Sequence, residues 1–202
     1  MRRVCPVTCT AGEPLGSALG RGLASGREWI LLSDRSLEPR PTALDELIGG
    51  LRRADGLPAP DLLAGVVVDA AGAVDDALAA WYRRAPTELA MAAAERRLLP
   101  IRAAAGPVMV RRAAAESKPP RPRAAFAPGA VLEWTARLLR DAPGYLVPGS
   151  EYVAVAAARD PALDPFTAVR LVAGSAFAGT DRLRIGAELF ERARRRPPGR
   201  AS

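Results

Sequence analysis

Short apolar runs alternate with helical patterns along most of the chain. The runs that predict strands cover residues 2–9, 28–33, 61–69 and 106–112. Between the first two runs, Leu15, Leu19 and Leu23 have the spacing of one helix face, which predicts a helix despite the glycines around them. This alternation of strands and helices is typical of an α/β fold.

Local signals refine these elements. Pro6 lacks a backbone N–H, so the first strand is predicted to lie at a sheet edge or to be irregular. Thr42 and Asp45 form a capping box ahead of an apolar stripe, which predicts a helix that ends near Gly56. Residues 28–33 are mostly apolar and are predicted to be buried on both faces.

The second half of the chain predicts less regular structure. Residues 87–97 read as a helix, whereas residues 74–84 fit either a helix or an irregular excursion. Residues 115–127, rich in proline and arginine, predict a flexible surface loop. A helix is then predicted from Pro128, stopped by Pro143 and Gly144 and followed by a short strand. We therefore expect one domain over residues 1–157, a helical appendage over 158–195 and a disordered tail over 196–202.

Composition removes several classes of function. The 202 residues contain no histidine, which excludes imidazole catalysis and imidazole metal ligands from this chain. The net charge of +7 comes almost entirely from arginine, since Lys118 is the only lysine, and this pattern indicates genomic base composition more than a nucleic-acid ligand. The basic tail 192–200 lacks interleaved aromatic residues, so nucleic acid is not the expected partner, and contact with anionic lipid stays an alternative.

Compartment signals are also few. No run of 18 apolar residues predicts a membrane span, and the N-terminus lacks the apolar core of a signal peptide. Cys5 and Cys9 are about 13 Å apart in an extended strand, too far for a disulfide. We therefore expect reduced cysteines and a cytoplasmic, bacterial protein.

Residues 16–51, "GSALGRGLASGREWILLSDRSLEPRPTALDELIGGL", resemble the middle of a family-two glycosyltransferase. In that family a strand ends in an Asp-x-Asp turn, and a proline and a helix follow. Asp34, Arg35 and Ser36 fall at that turn, and Pro39 at the following proline. Residues 63–74, 104–114 and 132–153 resemble later segments, so the resemblance covers roughly residues 4–155.

The resemblance implies a partial type A glycosyltransferase fold: a three-layer sandwich around a mixed, mostly parallel sheet. It also implies transfer of a sugar from a nucleotide-diphosphate sugar to an acceptor hydroxyl, with Mg²⁺ or Mn²⁺ at the acidic turn. Asp34 would be the metal-side residue, and Asp34, Arg35 and Ser36 would bind the donor diphosphate. Glu133 would be the nearest candidate base, and the acceptor side would comprise Arg111, Arg112 and Trp134.

The sequence departs from the family in two ways. The chain is expected to lack the first, nucleotide-binding half; an alternative alignment instead places residues 33–36 at the acidic turn of that half. The acidic positions are also eroded, because Ser36 replaces the second aspartate and Ala130 and Val131 stand where a catalytic acidic pair is expected. We therefore expect weak or lost activity. The alternative is a non-catalytic interaction module, or a subunit whose protein partner supplies the missing half.

Each candidate residue also has an ordinary structural interpretation. Asp34 is typical of a turn aspartate that accepts bonds from local backbone amides, and Asp69 of a strand-end turn. Glu133 suits the first turn of a helix, where a carboxylate interacts favourably with the helix dipole. Trp134 has the spacing of a core residue. Arg35 is typical of a solvated turn arginine; the alternative is that its guanidinium replaces the charge of a metal against a diphosphate.

Overall fold

A computed structural model describes residues 3–10, 12–74, 85–121, 124, 126 and 128–154. Seven strands form one sheet: β1 (Val4–Cys9), β2 (Trp29–Asp34), β3 (Leu37–Pro39), β4 (Leu62–Val68), β5 (Leu99–Pro100), β6 (Val108–Arg111) and β7 (Gly144–Ala154). Five helices accompany them: α1 (Leu15–Ala24), α2 (Ala43–Arg53), α3 (Pro86–Ala94), α4 (Arg112–Ser117) and α5 (Pro128–Leu138). The predicted α/β class is confirmed for these residues.

The sheet is mixed, as predicted. Its order is β1-β2-β6-β4-β7-β3, with β5 paired to β7 as well. β1 is parallel to β2 and β4 to β7, whereas β6 is antiparallel to both β2 and β4. The four longest described strands therefore run in the same direction. Their carboxyl ends meet at one side of the sheet, called here the carboxyl edge, and their amino ends meet at the opposite amino edge.

Helices cover both faces of the sheet, which gives the three predicted layers. Successive residues of a strand point to opposite faces. Ile30 and Leu32 join the core beneath α1 and α5, whereas Trp29 and Leu31 join the core beneath α2. Since both sets are buried, the apolar part of β2 has no polar face, in agreement with its sequence.

Two glycines allow the helices to approach the sheet closely. A Cβ added to Gly22 in α1 would lie 2.4 Å from Ile30 Cγ2. A Cβ on Gly50 in α2 would lie 3.0 Å from Val147 Cγ2 and 3.2 Å from Leu63 Cδ1. At Gly22 the missing side chain is what lets α1 pack this closely against β2.

β1 pairs with β2 alone among the described strands, so Pro6 does lie on an edge strand. Trp29 N donates to Arg3 O and Arg35 N donates to Cys9 O, so the backbone groups of odd-numbered residues in β1 face β2. Those of even-numbered residues face outward, where Pro6 has no N–H and Thr8 O accepts a bond of 3.1 Å from Arg21 Nη2. A partner that extended the sheet here would lose one donor and compete with Arg21 for one acceptor.

Two local expectations need correction. Thr42 precedes α2 as predicted, but its side chain makes no capping hydrogen bond because its backbone is already helical. The strand after Pro143 is not short: β7 has 11 residues. It continues through Pro148 because Val147 to Ser150 bulge opposite Gly65 of β4, where no ladder bond from proline is needed.

The segment predicted as a flexible loop, residues 115–127, contributes to the core where it is described. Phe126 is buried, and its N–H donates to Glu13 O. Ala124 O accepts a 2.7 Å bond from Leu15 N at the start of α1. This part of the segment is therefore bonded to the chain that enters α1.

Some expectations lie outside the described residues. These are the appendage predicted over 158–195, the tail predicted over 196–202, the basic stretch 192–200, and residues 75–84 of the ambiguous segment. Within the described residues, no helix has the length and hydropathy needed to cross a membrane.

Candidate functional site

The turn after β2 is the first candidate site. Asp34 is the last residue of β2, is half-buried, and is paired in register with Cys9. Its Oδ1 accepts two bonds of 2.8 Å, from the backbone N and the Oγ of Ser36. Arg35 N donates to Cys9 O at 2.9 Å, which fixes the turn to the end of β1. Asp34 thus makes the local turn bonds expected of an ordinary turn aspartate.

Beside this turn lies a small cluster of bonded residues that the sequence did not reveal. Glu13 accepts bonds from Thr10 N and from the guanidinium of Arg21, and the Arg21 bond lowers the pKa of Glu13. Burial, with a smaller contribution from Glu13, raises the pKa of the Cys9 thiol to about 11. Glu13 precedes α1 and Arg21 lies within it, so their separation of eight residues is only a weak helical signal.

The turn does not fit the expected Mg²⁺ or Mn²⁺. Such hard cations bind clustered oxygen ligands. Asp34 supplies the only carboxylate of the turn, and its Oδ1 already accepts two hydrogen bonds. Among the residues that the structure describes, no three His, Cys, Asp or Glu side chains are close enough to hold a metal ion.

The two candidate acceptor-side arginines lie at the other side of the sheet. Arg111 is opposite Trp29, the first residue of β2, because β6 runs antiparallel to β2. Its guanidinium lies 5.3 Å from the Trp29 ring centre and 3.3 Å from Asp61 Oδ1. Arg112 Nε donates to Glu116 at 2.8 Å. Both arginines thus have structural partners at the amino edge, and the structure does not bring them to Asp34.

Glu133, the candidate base, is held between two arginines. Its Oε1 accepts a 3.0 Å hydrogen bond from Arg121 Nε and lies 3.5 Å from Arg137 Nε. The Glu133 side chain is 11% exposed. Its position is also not the one expected from helix-dipole reasoning, because Glu133 is the sixth residue of α5 and lies beyond the first turn. These contacts make Glu133 a link between α5 and the segment before it.

Trp134 is a core residue. Its side chain is fully buried, and its Nε1 donates a 2.7 Å bond to Lys118 O. The indole is therefore inaccessible as a platform for a sugar acceptor, and the core interpretation of its helical spacing is the one that the structure supports.

The carboxyl edge holds other polar residues. Asp69 follows β4 and accepts a 2.9 Å bond from Ala73 N within a tight turn, as an ordinary strand-end aspartate does. Arg40 Nε lies 2.9 Å from Glu151 Oε2, and Arg40 also approaches Gly72 in that turn. The turn after β4, the end of β7 and Asp34 thus lie at the same edge of the sheet. Sequence analysis missed the Arg40–Glu151 pair because it joins residues 111 positions apart.

The first three elements also bear on how the chain aligns with glycosyltransferases. β1, α1 and β2 form a parallel strand-helix-strand unit that ends in the acidic turn at Asp34. The alternative alignment, which assigns this turn to a first nucleotide-binding half, predicts the same three elements. This strand-helix-strand unit is therefore common to both alignments.

No protein family and no curated protein matches the sequence. Among solved structures, the chain is similar to residues 1–349 of TarS from S. aureus, a family-two glycosyltransferase. The identity is 14% and the TM-score is 0.52, over 89% of this chain and 51% of the TarS chain. For the same TarS fragment in complex with UDP-GlcNAc, the identity is 14% and the TM-score 0.51, over 90% and 53% of the two chains.

The chain thus spans about half the length of the TarS structures that it matches. At this level of identity the similarity establishes the fold and no residue role. The described residues have a glycosyltransferase-like α/β fold.

Proposed function

We propose that this protein is a glycosyltransferase-like protein that binds a nucleotide-diphosphate sugar at the carboxyl edge, around the turn formed by Asp34, Arg35 and Ser36. The observation that carries the proposal is the fold similarity to TarS, one structure of which contains UDP-GlcNAc. In open α/β sheets, ligands bind beyond the carboxyl ends of the strands. The Asp34 turn lies at that position and is fixed to β1 by a backbone hydrogen bond.

The proposed reaction is transfer of the sugar to an acceptor hydroxyl, at a low rate. Such a reaction needs a base that removes the hydroxyl proton within hydrogen-bonding distance. Glu133 is the candidate base that the family resemblance implies, and its carboxylate is already bonded to Arg121. We therefore expect donor binding to be easier to detect than transfer.

A second candidate function is a non-catalytic interaction module built on the same scaffold. The specific observation in its favour is that three residues with proposed catalytic or acceptor roles have structural partners instead. Glu133 is bonded to Arg121, Trp134 to Lys118 O, and Arg111 to Asp61 and Trp29. This candidate predicts a stable fold that binds no nucleotide sugar.

Calorimetric titration separates the two candidates. The purified chain would be titrated with UDP-GlcNAc and with a GDP sugar and a dTDP sugar, each with EDTA and with Mn²⁺. UMP and free GlcNAc serve as controls, because each lacks the diphosphate. Micromolar binding of a nucleotide sugar, with much weaker binding of the controls, supports a donor site. No binding by a protein that melts cooperatively would overturn it and favour the interaction module.

A further inference from the structure

Arg35 is the one cation within the turn formed by Asp34, Arg35 and Ser36. Its side chain is exposed, and no hydrogen bond or ion pair joins it to another residue of the described ranges. The neighbouring cations at the carboxyl edge differ: Arg21 pairs with Glu13, and Arg40 pairs with Glu151 at 2.9 Å. Among the described residues at this edge, a diphosphate that arrived at the turn would therefore meet one available guanidinium, that of Arg35.

The same residue disfavours a metal at this turn. A divalent cation beside Asp34 would lie next to the positive charge of Arg35, and like charges at short range repel. The carboxylate would have to bind the metal while its Oδ1 accepts bonds from Ser36 N and Ser36 Oγ at 2.8 Å. A single carboxylate with one oxygen already bonded, next to a guanidinium, therefore disfavours a cation at this turn.

We infer that the positive charge opposing the donor diphosphate comes from the guanidinium of Arg35 and not from a divalent metal, so that donor binding is metal-independent. This inference rests on the proposed function. A guanidinium matches phosphate geometry through two parallel N–H donors, and each diphosphate presents oxygen acceptors suited to them. The turn bonds from Arg35 N and Ser36 N keep the backbone that carries Arg35 in one conformation.

The inference reverses the expected effect of Asp34. With a bridging metal, Asp34 attracts the donor indirectly, and Asp34→Asn would abolish binding. Without a metal, the Asp34 carboxylate is simply a negative charge near the diphosphate. The amide oxygen introduced by Asp34→Asn would accept the same two bonds from Ser36, because it has the same acceptor capacity as one carboxylate oxygen. Asp34→Asn is therefore expected to tighten binding a few-fold.

The test measures the affinities of UDP-GlcNAc and of inorganic pyrophosphate by calorimetry at constant ionic strength, with EDTA and with Mn²⁺. Arg35→Gln removes the guanidinium, and Arg35→Lys retains the charge without the paired donors. Arg52→Gln is the matched control, because the Arg52 side chain is also exposed and has no partner among the described residues. It lies in the last turn of α2, which leads into β4 at the amino edge.

We expect binding in EDTA that Mn²⁺ changes less than twofold. Arg35→Gln should weaken it at least about tenfold, Arg35→Lys less, and Arg52→Gln not at all. Binding that requires Mn²⁺ and is abolished by Asp34→Asn would overturn the inference and leave the proposed function standing. Binding in EDTA that is unaffected by Arg35→Gln would also overturn it. No nucleotide-sugar binding under any condition would overturn the proposed function together with the inference.

Discussion

Replacing Gly22 by alanine tests how closely α1 packs against the sheet. The added Cβ would lie 2.4 Å from Ile30 Cγ2 and 3.1 Å from Ile30 Cγ1. Carbon atoms in contact are ordinarily about 3.5–4.0 Å apart, so the helix or Ile30 must move by about 1 Å. Ile30 is fully buried and branched at Cβ, which leaves it little freedom to rotate away.

The magnitude follows from two opposing effects. Alanine is better than glycine inside a helix by about 0.5–1 kcal/mol. Overpacking a well-packed core costs about 1–3 kcal/mol. Gly22→Ala should therefore lower the free energy of unfolding by about 1–2 kcal/mol. Gly20→Ala is the matched control in the same helix, because no atom packed against the helix lies within 4 Å of its added Cβ. It should raise the free energy of unfolding by about 0.5–1 kcal/mol.

Urea unfolding followed by circular dichroism and tryptophan fluorescence measures both variants. A double-mutant cycle with Ile30→Ala isolates the contact, because the clash disappears when Ile30 is truncated. The double variant should be more stable, by about 1–3 kcal/mol, than the sum of the two single-variant effects predicts. If Gly22→Ala proved as stable as Gly20→Ala, α1 could not lie this close to β2.

Three other predictions concern buried or bonded side chains. In urea unfolding, Thr135→Val should lower the free energy of unfolding by about 2–4 kcal/mol. Thr135 Oγ1 accepts a bond from Ala104 N and donates one to Ala104 O, each 2.9 Å long, and valine would leave both backbone groups without this partner. Thr135→Ser should restore most of the lost stability. Glu133→Gln should lower the free energy of unfolding by about 1 kcal/mol, because it weakens the bond with Arg121. It should leave the affinity for the nucleotide sugar unchanged. Loss of sugar transfer without loss of stability would instead identify Glu133 as the base. Burial raises the pKa of the Cys9 thiol to about 11, so the folded protein keeps a proton that the unfolded chain releases near pH 9. The free energy of unfolding should therefore fall by about 2 kcal/mol as the pH rises from 9 to 11. Cys9→Ala should remove this dependence of stability on pH.

Elements defined by local pattern were predictable from the sequence. The apolar run of β4, the leucine spacing of α1 and the Pro128 start of α5 each depend on neighbouring residues, and each prediction is confirmed. β3 and β5 were not predicted, because each is only two or three residues long and is defined by pairing with the distant β7. Local pattern carries no information on such long-range pairing.

The candidate site was predictable at one position and not as an assembly. The turn at Asp34 follows a strand, as its sequence indicates, and its bonds to Ser36 are of the kind expected from an Asp-x-Ser sequence. The partners of Glu133 and Arg111 come from elsewhere in the chain, so sequence spacing could not reveal that both side chains are already bonded. Charge alone does not distinguish a functional arginine from one in an ion pair.

The direction of β6 limits where an acceptor could bind. Arg111 lies opposite Trp29, whereas Asp34 is five residues further along β2, which corresponds to about 16 Å of strand. Reacting atoms must come within about 3–3.5 Å of each other, so under the proposed function an acceptor held by Arg111 would have to span this distance to reach a donor at Asp34.

Under the proposed function, the carboxyl edge is therefore the nearer place for an acceptor site. Only Arg35 and Ser36 separate Asp34 from β3, and Leu37 of β3 pairs with Ala154 at the end of β7. Three Cα steps span at most about 11 Å, so the end of β7 lies within reach of a ligand at Asp34. Val68 of β4 pairs with Val153, which brings the Asp69 turn to the same place. The topology thus favours an acceptor site between β3, the Asp69 turn and the end of β7, on the side of the sheet opposite Arg111.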